Sequence, residues 1–448
     1  GLLGCVTGYF MALWVTDLYT YYFEFPELTN RFYPGTYLLA ISISLLFALG
    51  GSVFGARQAV RLQPAEAMRP KPPQAGRAVW LERVTWLWQR FSFSWRMVVR
   101  LILRHRLRTS VGVFAAAMGS GLLTSGFMLS AAMIFLVDFQ YSQIIRGDFD
   151  LSLADEQSVA ALDEARRLPG VDHAEPVLYV AGTFSHGPYQ RKGAITAIRH
   201  NAQLTVPHDD QGRPIRVPEV GLVMSRKLAE ILQVSVGDTI TFEPTRGLQR
   251  PQLVPVARIA EGYLGMSVYA DLEFMSRLMG EELAVNALQL KTNPAPAPVA
   301  ALYRQLKQLP TLQAVNERAD VIQNLNANYI EVQNIFIGLL TLFAGVIFFG
   351  SILTASMIGL AERQREVATL EVLGYTPWQI GGLFLRESAL VNLSGAVIGL
   401  PLGYLLTQLL AWYYDTELFR FPVIWSTEIV TKALLLAMTF TLLAHLIV

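Results

Sequence analysis

Glu362, Arg363, Arg365 and Glu366 stand within five residues of one another, and Val367, Leu370 and Leu373 follow at helical spacing. As a helix, 362–373 would gather those three apolar residues near one face and crowd the charges onto the remainder. A short amphipathic helix of this kind can dock into a groove on a partner; a solvated connector between two longer helices has the same pattern. Gly374 suits the left-handed position that ends such a helix. Other reactive residue types are scattered. His173, His186, His200 and His208 match no metal-ligand spacing and are expected to be surface histidines. Asp209-Asp210-Gln211-Gly212 begins like a calcium loop but lacks its later ligands, so a turn is expected. Cys5 is the only cysteine, which excludes an internal disulfide or a cysteine cluster and leaves the redox compartment unreadable. No phosphate-cradling Gly-x-x-x-x-Gly-Lys-Ser/Thr loop, Gly-x-Ser-x-Gly or His-Glu-x-x-His motif occurs. No catalytic residue, metal or cofactor is therefore expected, and ATP hydrolysis by the chain itself is not.

The elements that would hold these residues are strongly apolar. Hydrophobic residues make up 52% of the 448, charged residues only 16%, against about 25% in a soluble globular chain. Crossing the hydrocarbon core takes about 20 apolar residues. Six stretches meet or nearly meet that length: 1–20, 36–56, 109–137, 333–360, 383–411 and 428–448. None has the polar stripe that a helix of a soluble bundle needs. Lys432, near the outer end of the last stretch, can snorkel, and His445 lies near its cytoplasmic end, so neither demands a relay. The chain begins and ends inside apolar runs and is expected to be a fragment of a longer one.

Lys and Arg placement orients the spans. Arg57 to Arg108 holds eleven arginines and Lys71 against Glu66 and Glu82, which places it in the cytoplasm. The loop 361–382, with Arg363 and Arg365, falls on the same side. Loops 21–35 and 412–427 and the long segment 138–332 fall opposite. Trp80, Trp86, Trp88 and Trp95 among the arginines suggest an interfacial helix with an aromatic belt rather than a nucleic-acid surface, and the net charge of +1 agrees.

The two ends of the chain repeat each other. Gly4 and Gly8 open a span that leads to Tyr21-Tyr22 and Phe25-Pro26; Gly395 and Gly399 open one that leads to Tyr413-Tyr414 and Phe421-Pro422. Ala12 takes the place of Gly403. Repetition on this scale suggests a duplicated membrane unit. Small residues four apart let helices approach closely in lipid, so Gly4/Gly8, Gly51/Gly55 and Gly395/Gly399/Gly403 are expected to pack helices.

Residues 138–332 change character. A strand at 150–153, a helix at 156–168 and a strand at 175–184 are matched later by a strand at 285–292, a helix at 296–308 and a strand at 311–316. Between them, about 176–275 reads as a strand-rich insert with one short helix at 225–233 and a strand at 239–243. Two strand–helix–strand units bracketing an insertion point to an α+β domain outside the membrane.

The run Glu362-Arg363-Gln364-Arg365-Glu366-Val367-Ala368-Thr369-Leu370-Glu371-Val372-Leu373-Gly374-Tyr375-Thr376-Pro377, followed by Glu387 and the 395/399/403 glycines, resembles the FtsX/MacB-type permease family of ABC transporters. That family carries E-R-x-R-E-[IV]-A-x-L-x-x-L-G between its second and third spans. Ala59, Arg61, Leu62 and Gln63-Pro64-Ala65-Glu66-Ala67-Met68-Arg69 resemble the segment that closes each membrane unit of the family. The resemblance implies an α-helical integral membrane protein, six spans here, with an exported α+β domain between the third and fourth. Residues 1–73 would end a first unit, 74–108 form a cytoplasmic linker with an amphipathic interfacial helix, 109–137 open a second unit, 138–332 be a MacB-like periplasmic core domain, and 333–448 a second permease domain. The intact chain would have eight or more spans. The resemblance further implies that Glu362, Arg363, Arg365, Glu366, Ala368, Thr369, Leu370, Leu373 and Gly374 form an ATPase-coupling helix. Its partners would be a separate dimeric cytoplasmic ATPase, membrane lipid, and a periplasmic adaptor or substrate-binding protein, in the inner (plasma) membrane. The implied activity is ATP-driven movement of the exported domain, for export or extraction of lipoproteins, lipids, peptides or drugs. Two alternatives stay open: a mechanical regulator of an extracytoplasmic enzyme such as a cell-wall hydrolase, and a membrane sensor or receptor.

Overall fold

A computed structural model of the chain describes residues 2–22, 33–60, 82, 85–104, 106–293, 295–417 and 419–447. The chain divides into two compact units, Gly1–Arg90 and Phe91–Val448. The first holds helices α1 (Leu2–Tyr22), α2 (Pro34–Val60) and α3 (Thr85–Arg90). Tyr21-Tyr22 end α1 as Tyr413 ends the corresponding helix of the second unit. Phe25-Pro26 and the Pro64-Ala65-Glu66 segment lie outside the described residues.

Five described helices are long and apolar enough to cross a membrane, their spans running Pro34–Val53, Arg106–Ile144, Glu331–Ala361, Pro377–Tyr413 and Thr427–Ile447. Helix α1 occupies the place of the sixth expected span but is not among those five.

In the second unit, α4 (Phe93–Arg104) is an amphipathic helix. Val98 is buried, while Arg100 and Arg104, four apart, lie exposed. Four long helices follow, with an α+β domain between the first and the second: α5 (Arg106–Asp138), α11 (Glu331–Glu362), α13 (Pro377–Tyr413) and α14 (Thr427–Ile447). A side chain that hydrogen-bonds its own helix starts α13: Gln379 accepts from the Thr376 N–H at 3.0 Å, with Pro377 at the first turn. The bundle core is small and apolar, with Ala116, Leu123, Ala344, Phe348, Ala396 and Ala437 at its centre. Several of its buried polar groups are paired within and between helices, though the Ser356 hydroxyl on α11 is not. The Ser120 hydroxyl donates to the Ala396 carbonyl at 3.2 Å, the Asn392 amide to Thr441 at 3.1 Å, and the Thr407 hydroxyl meets Ser125 at 3.0 Å. Such bonds hold helices together in lipid.

Helix α5 continues as a π-helical turn, Phe139–Ile144, into the α+β domain. That domain has two parts. One is an antiparallel four-stranded sheet in the order β9-β1-β8-β2, built from β1 (Phe149–Ser158), β2 (Val171–His186), β8 (Ala284–Thr292) and β9 (Leu312–Glu317). Helices α6 (Ala161–Ala165) and α9 (Pro296–Leu306) pack Leu162, Leu302 and Leu306 against it. These are the two expected strand–helix–strand units. The first helix is shorter than expected, because β1 runs on to Ser158 across residues read as helical.

The other part is the insert. β3 (Tyr189–Ile198), β4 (Leu222–Ser225), β5 (Thr239–Pro244), β6 (Gln252–Ala260) and β7 (Val268–Asp271) pair in the ring β2-β3-β7-β4-β6-β5-β2. The ring closes, so this sheet exposes no free edge. Strand β2 is long enough to serve both parts: Val171–Val177 pair with β8, and Leu178–His186 with β3. Phe184 and Phe242 fill the barrel, ring centroids 4.9 Å apart. Besides the expected helix, α7 (Arg226–Leu232), there is α8 (Leu272–Met279), capped by Asp271, whose carboxylate accepts from the N–H groups of Glu273 and Phe274.

Candidate functional site

Between α11 and α13 lies α12 (Gln364–Val372), within the predicted docking segment. It is set off from α11 by a break at Arg363, and ends where the Tyr375 N–H donates to the Leu370 carbonyl at 3.0 Å. Gly374 has φ +90°, the left-handed conformation that only glycine adopts without strain. Val367 and Leu370 are half-buried, whereas Glu366, Ala368 and Thr369 are exposed. The side chains of Glu362 and Arg365 lie outside the described set. Beyond the helix end the surface is openly apolar: Val372 is 88% exposed, Leu373 69% and Trp378 87%. Val372 and Trp378 were not singled out from the sequence.

Arg363 does not share that surface. It is 5% exposed, and its two terminal nitrogens donate to the two carboxylate oxygens of Glu387 on α13, at 2.5 and 2.9 Å. The guanidinium also lies over the Phe384 ring at 5.8 Å. A bidentate pair fixes both distance and plane, so the start of α12 is tied to α13. Arg363, counted from the motif among docking residues, acts here as a positioning residue. The signal in the sequence was Glu387, an acid ten residues into an apolar helix, which needs a base beside it.

The glycines of α13 set its distance from α5. A methyl group at Gly399 would stand 2.6 Å from the Ala117 carbonyl oxygen and 2.7 Å from Ser120 Cβ; one at Gly403 would stand 2.7 Å from the Gly121 oxygen, and one at Gly395 2.7 Å from the Val113 oxygen. At each of the three glycines the methyl would meet backbone, which cannot swing aside. Gly4, Gly8 and Gly51 show the opposite, with nothing within 4 Å of such a methyl among the described residues. The surroundings of Gly55 are outside the described set.

At its C-terminal end α13 leads into the loop 414–426, which is fastened to the barrel. Lys227 pairs with Asp415 at 3.0 Å and Arg191 with Glu417 at 2.9 Å, and Arg420 lies 3.6 Å from both Glu230 and Glu261. The Arg420 N–H donates to the Tyr263 carbonyl at 3.0 Å. Tyr263 also packs edge-on against Phe135 of α5 and Phe139 just beyond it, at 5.7 and 5.1 Å. Asp148 gathers two connections of the sheet: it accepts from Lys291 at 2.9 Å and pairs with Arg318 at 3.1 Å, at the start of α10 (Arg318–Leu325). The α+β domain is thus tied to α5, α10 and the α13–α14 loop at once.

Residues 334–448 match the family model of the FtsX-like permease C-terminal domain. That stretch contains α12, the Arg363–Glu387 pair and the three packed glycines. Over those residues the chain is similar to the FtsX-like permeases. It is 26% identical over 201 residues to the lipoprotein-releasing system transmembrane protein LolC of Haemophilus influenzae, an alignment covering 42% of this chain and 50% of that protein. The chain thus spans about half the length of the curated relative it matches. Among solved structures, the periplasmic region of MacB from Actinobacillus actinomycetemcomitans is similar over 42% of this chain and 97% of its own, at 10% identity and TM-score 0.30. The extracellular domain of the noncanonic ABC-type transporter YknZ from Gram-positive bacteria covers 38% and 97%, at 13% identity and TM-score 0.28. At these TM-scores neither likeness bears on the assignment.

The remaining candidates have local structural partners. His173 lies 3.0 Å from Glu175, while His186, His200 and His208 lie against the carbonyls of Leu232, Val217 and Val206. No group of three or more metal-ligating side chains is present among the described residues. The Asp209 side chain accepts from the N–H groups of Gln211 and Arg213, closing the expected turn. Hydrogen bonding to Arg213 holds that carboxyl below its ordinary value. Glu281 is pushed the other way, first by burial and then by the neighbouring Glu156 carboxylate, with Arg246 opposing. Its Oε2 is buried without a hydrogen-bond partner. A carboxyl raised in the folded state binds its proton more tightly there, so its penalty grows as pH climbs past the ordinary value of about 4.3 and is complete above the raised one. Glu281→Gln is therefore expected to raise the unfolding midpoint at pH 7.5 and leave it unchanged at pH 4, read by thermal scans at both.

Proposed function

We propose that this FtsX-like permease chain is the transmembrane subunit of an ABC transporter, lodged in the inner (plasma) membrane with residues 138–332 outside the cytoplasm. A separate, dimeric cytoplasmic ATPase takes the apolar patch at the end of α12 into a groove. Closure of that ATPase shifts α12, and the Arg363–Glu387 pair passes the shift to α13. Helix α13 is 37 residues long, about 55 Å at 1.5 Å per residue, so it reaches from the cytoplasmic surface to the outer loop. There the ion pairs and the Tyr263 contact deliver the movement to the barrel. The work is done on lipoproteins, lipids, peptides or drugs at the outer face, aided by a periplasmic adaptor or substrate-binding protein.

One observation carries this reading: a short helix between two long apolar ones that is clamped to the second through Arg363 and exposes Val372, Leu373 and Trp378 at its end. The paired polar groups inside the bundle favour movement over a pore. They equally suit a regulator of an extracytoplasmic enzyme, which a co-purifying hydrolase would reveal. Leu373→Asp is expected to weaken ATPase association by about 30-fold, as loss of an interface hot spot does. Glu366→Ala with Leu370→Ala is expected to weaken it as well. Binding measured against the purified ATPase decides; unchanged binding and unchanged ATP-dependent activity in these variants would remove the coupling assignment.

A further inference from the structure

At the cytoplasmic end of the second unit, α5, α11, α13 and α14 part around a cavity of about 1240 Å³. Small residues open it, among them Gly112, Gly350 and Gly381. Its wall on α11 runs from Ile347 to Leu360, about 20 Å at 1.5 Å per residue. Half of a hydrocarbon core about 30 Å thick is about 15 Å. The cavity is therefore about one leaflet deep, and the orientation of the spans puts that leaflet on the cytoplasmic side. Its deep part is lined mostly by apolar and small side chains. Among the polar residues that line it, the Asn392 amide donates to Ser388 and Thr441, while the Ser356 hydroxyl is buried without a hydrogen-bond partner.

The mouth is different. Arg108 lines it, and its guanidinium lies directly on α11 at Gly359, where any β-carbon would collide with it. The absence of a side chain at 359 is what admits the cation between α5 and α11. Glu387 at the same level is already neutralised by Arg363, and Glu371 adds one exposed acid. Helix α4, with Arg100 and Arg104 exposed, joins α5 just before this mouth. An apolar slot one leaflet deep with a guanidinium at its headgroup level has the polarity profile of a phospholipid, and the cytoplasmic leaflet supplies anionic ones.

We propose that this cavity holds one phospholipid of the inner leaflet, its acyl chain between α11 and α13 and its phosphate on Arg108. The inference rests on the membrane orientation proposed above and not on ATPase coupling. An occupant wedged between α11 and α13 also sets the spacing on which α12 hangs.

The full chain, purified in detergent, is loaded with phosphatidylglycerol or with diacylglycerol of the same chains, and retained lipid is counted by native mass spectrometry. Wild type is expected to keep one phosphatidylglycerol in preference to diacylglycerol. Arg108→Gln is expected to reduce that preference about fivefold, the usual worth of one cation at a lipid headgroup. Gly350→Leu fills the cavity at a position with nothing within 4 Å and is expected to abolish retention of both lipids; Gly381→Leu, equally open, repeats the test should the first variant misfold. Equal retention of the two lipids by wild type, or wild-type retention by a folded plugged variant, overturns the proposal. So does loss of the preference in Arg104→Gln but not in Arg108→Gln, which would put the lipid on the surface of α4.

Discussion

Replacing Arg363 with alanine is expected to destabilise the second unit by about 3–5 kcal/mol, the cost of leaving a buried charge without its partner. The cost falls on Glu387, which is left in the cavity wall with nothing to accept from. Glu387→Gln strands the guanidinium instead and should cost a comparable amount. The double variant Arg363→Ala/Glu387→Ala should recover part of the loss, because neither charge is then stranded; a coupling energy of that sign is the signature of a direct pair. Thermal unfolding of the detergent-purified protein reads all three. Stimulation of the ATPase should vanish in the single variants even at temperatures where they remain folded, since α12 then has no fixed attachment to α13. An Arg363→Ala variant that unfolds with the wild type would mean that the pair is solvated and transmits nothing.

Gly399 carries the second large effect. Substitution by valine places branched bulk where a bare methyl would already stand 2.6 Å from a carbonyl oxygen and 3.0 Å from the Gly121 nitrogen. Helices α5 and α13 must separate, which breaks the Ser120–Ala396 and Thr407–Ser125 hydrogen bonds that depend on their closeness. Overpacking of this kind costs about 1–3 kcal/mol, and the lost hydrogen bonds add to it. Gly382→Ala is the control: a methyl there has nothing within 4 Å, and the midpoint should not move. If Gly399→Val and Gly382→Ala unfold alike, α5 and α13 do not pack through these glycines.

Much of this architecture was legible in the residues because its causes are local. An apolar run the length of a bilayer is nearly self-sufficient as a signal, and the described helices at five of the six expected stretches meet the length and apolarity of a span. Gly374 betrays the end of α12 through its own backbone freedom. The two strand–helix–strand units could be read from alternation, though not the end of β1, where Asp155 and Gln157 continue a strand against helical propensity because Gln157 pairs with Val285 across the sheet. The barrel could not be read. Its closure depends on β3 meeting β7 and on β2 meeting β5, pairings between residues far apart in sequence that no short window contains. The Arg363–Glu387 pair was half-visible: both residues stood in the family motif, but nothing in the sequence says that the arginine turns inward while Val372 and Trp378 turn out. The small-residue spacing alone does not say which glycines meet a neighbour: Gly4 and Gly8 share the spacing of Gly395 and Gly399, yet a methyl there has nothing within 4 Å among the described residues.

The most direct test of the coupling helix uses the single cysteine to advantage. With Cys5 replaced by serine, a cysteine introduced at Leu373 becomes the only thiol and can carry a photoactivatable crosslinker. Membranes that contain this variant and its ATPase are illuminated with and without ATP. A crosslink from position 373 to the ATPase, and none from a cysteine placed at Leu435 on the lipid-exposed face of α14, is the predicted result. Absence of a crosslink at 373 in a complex that still hydrolyses ATP under the chain's stimulation would contradict the account at its centre.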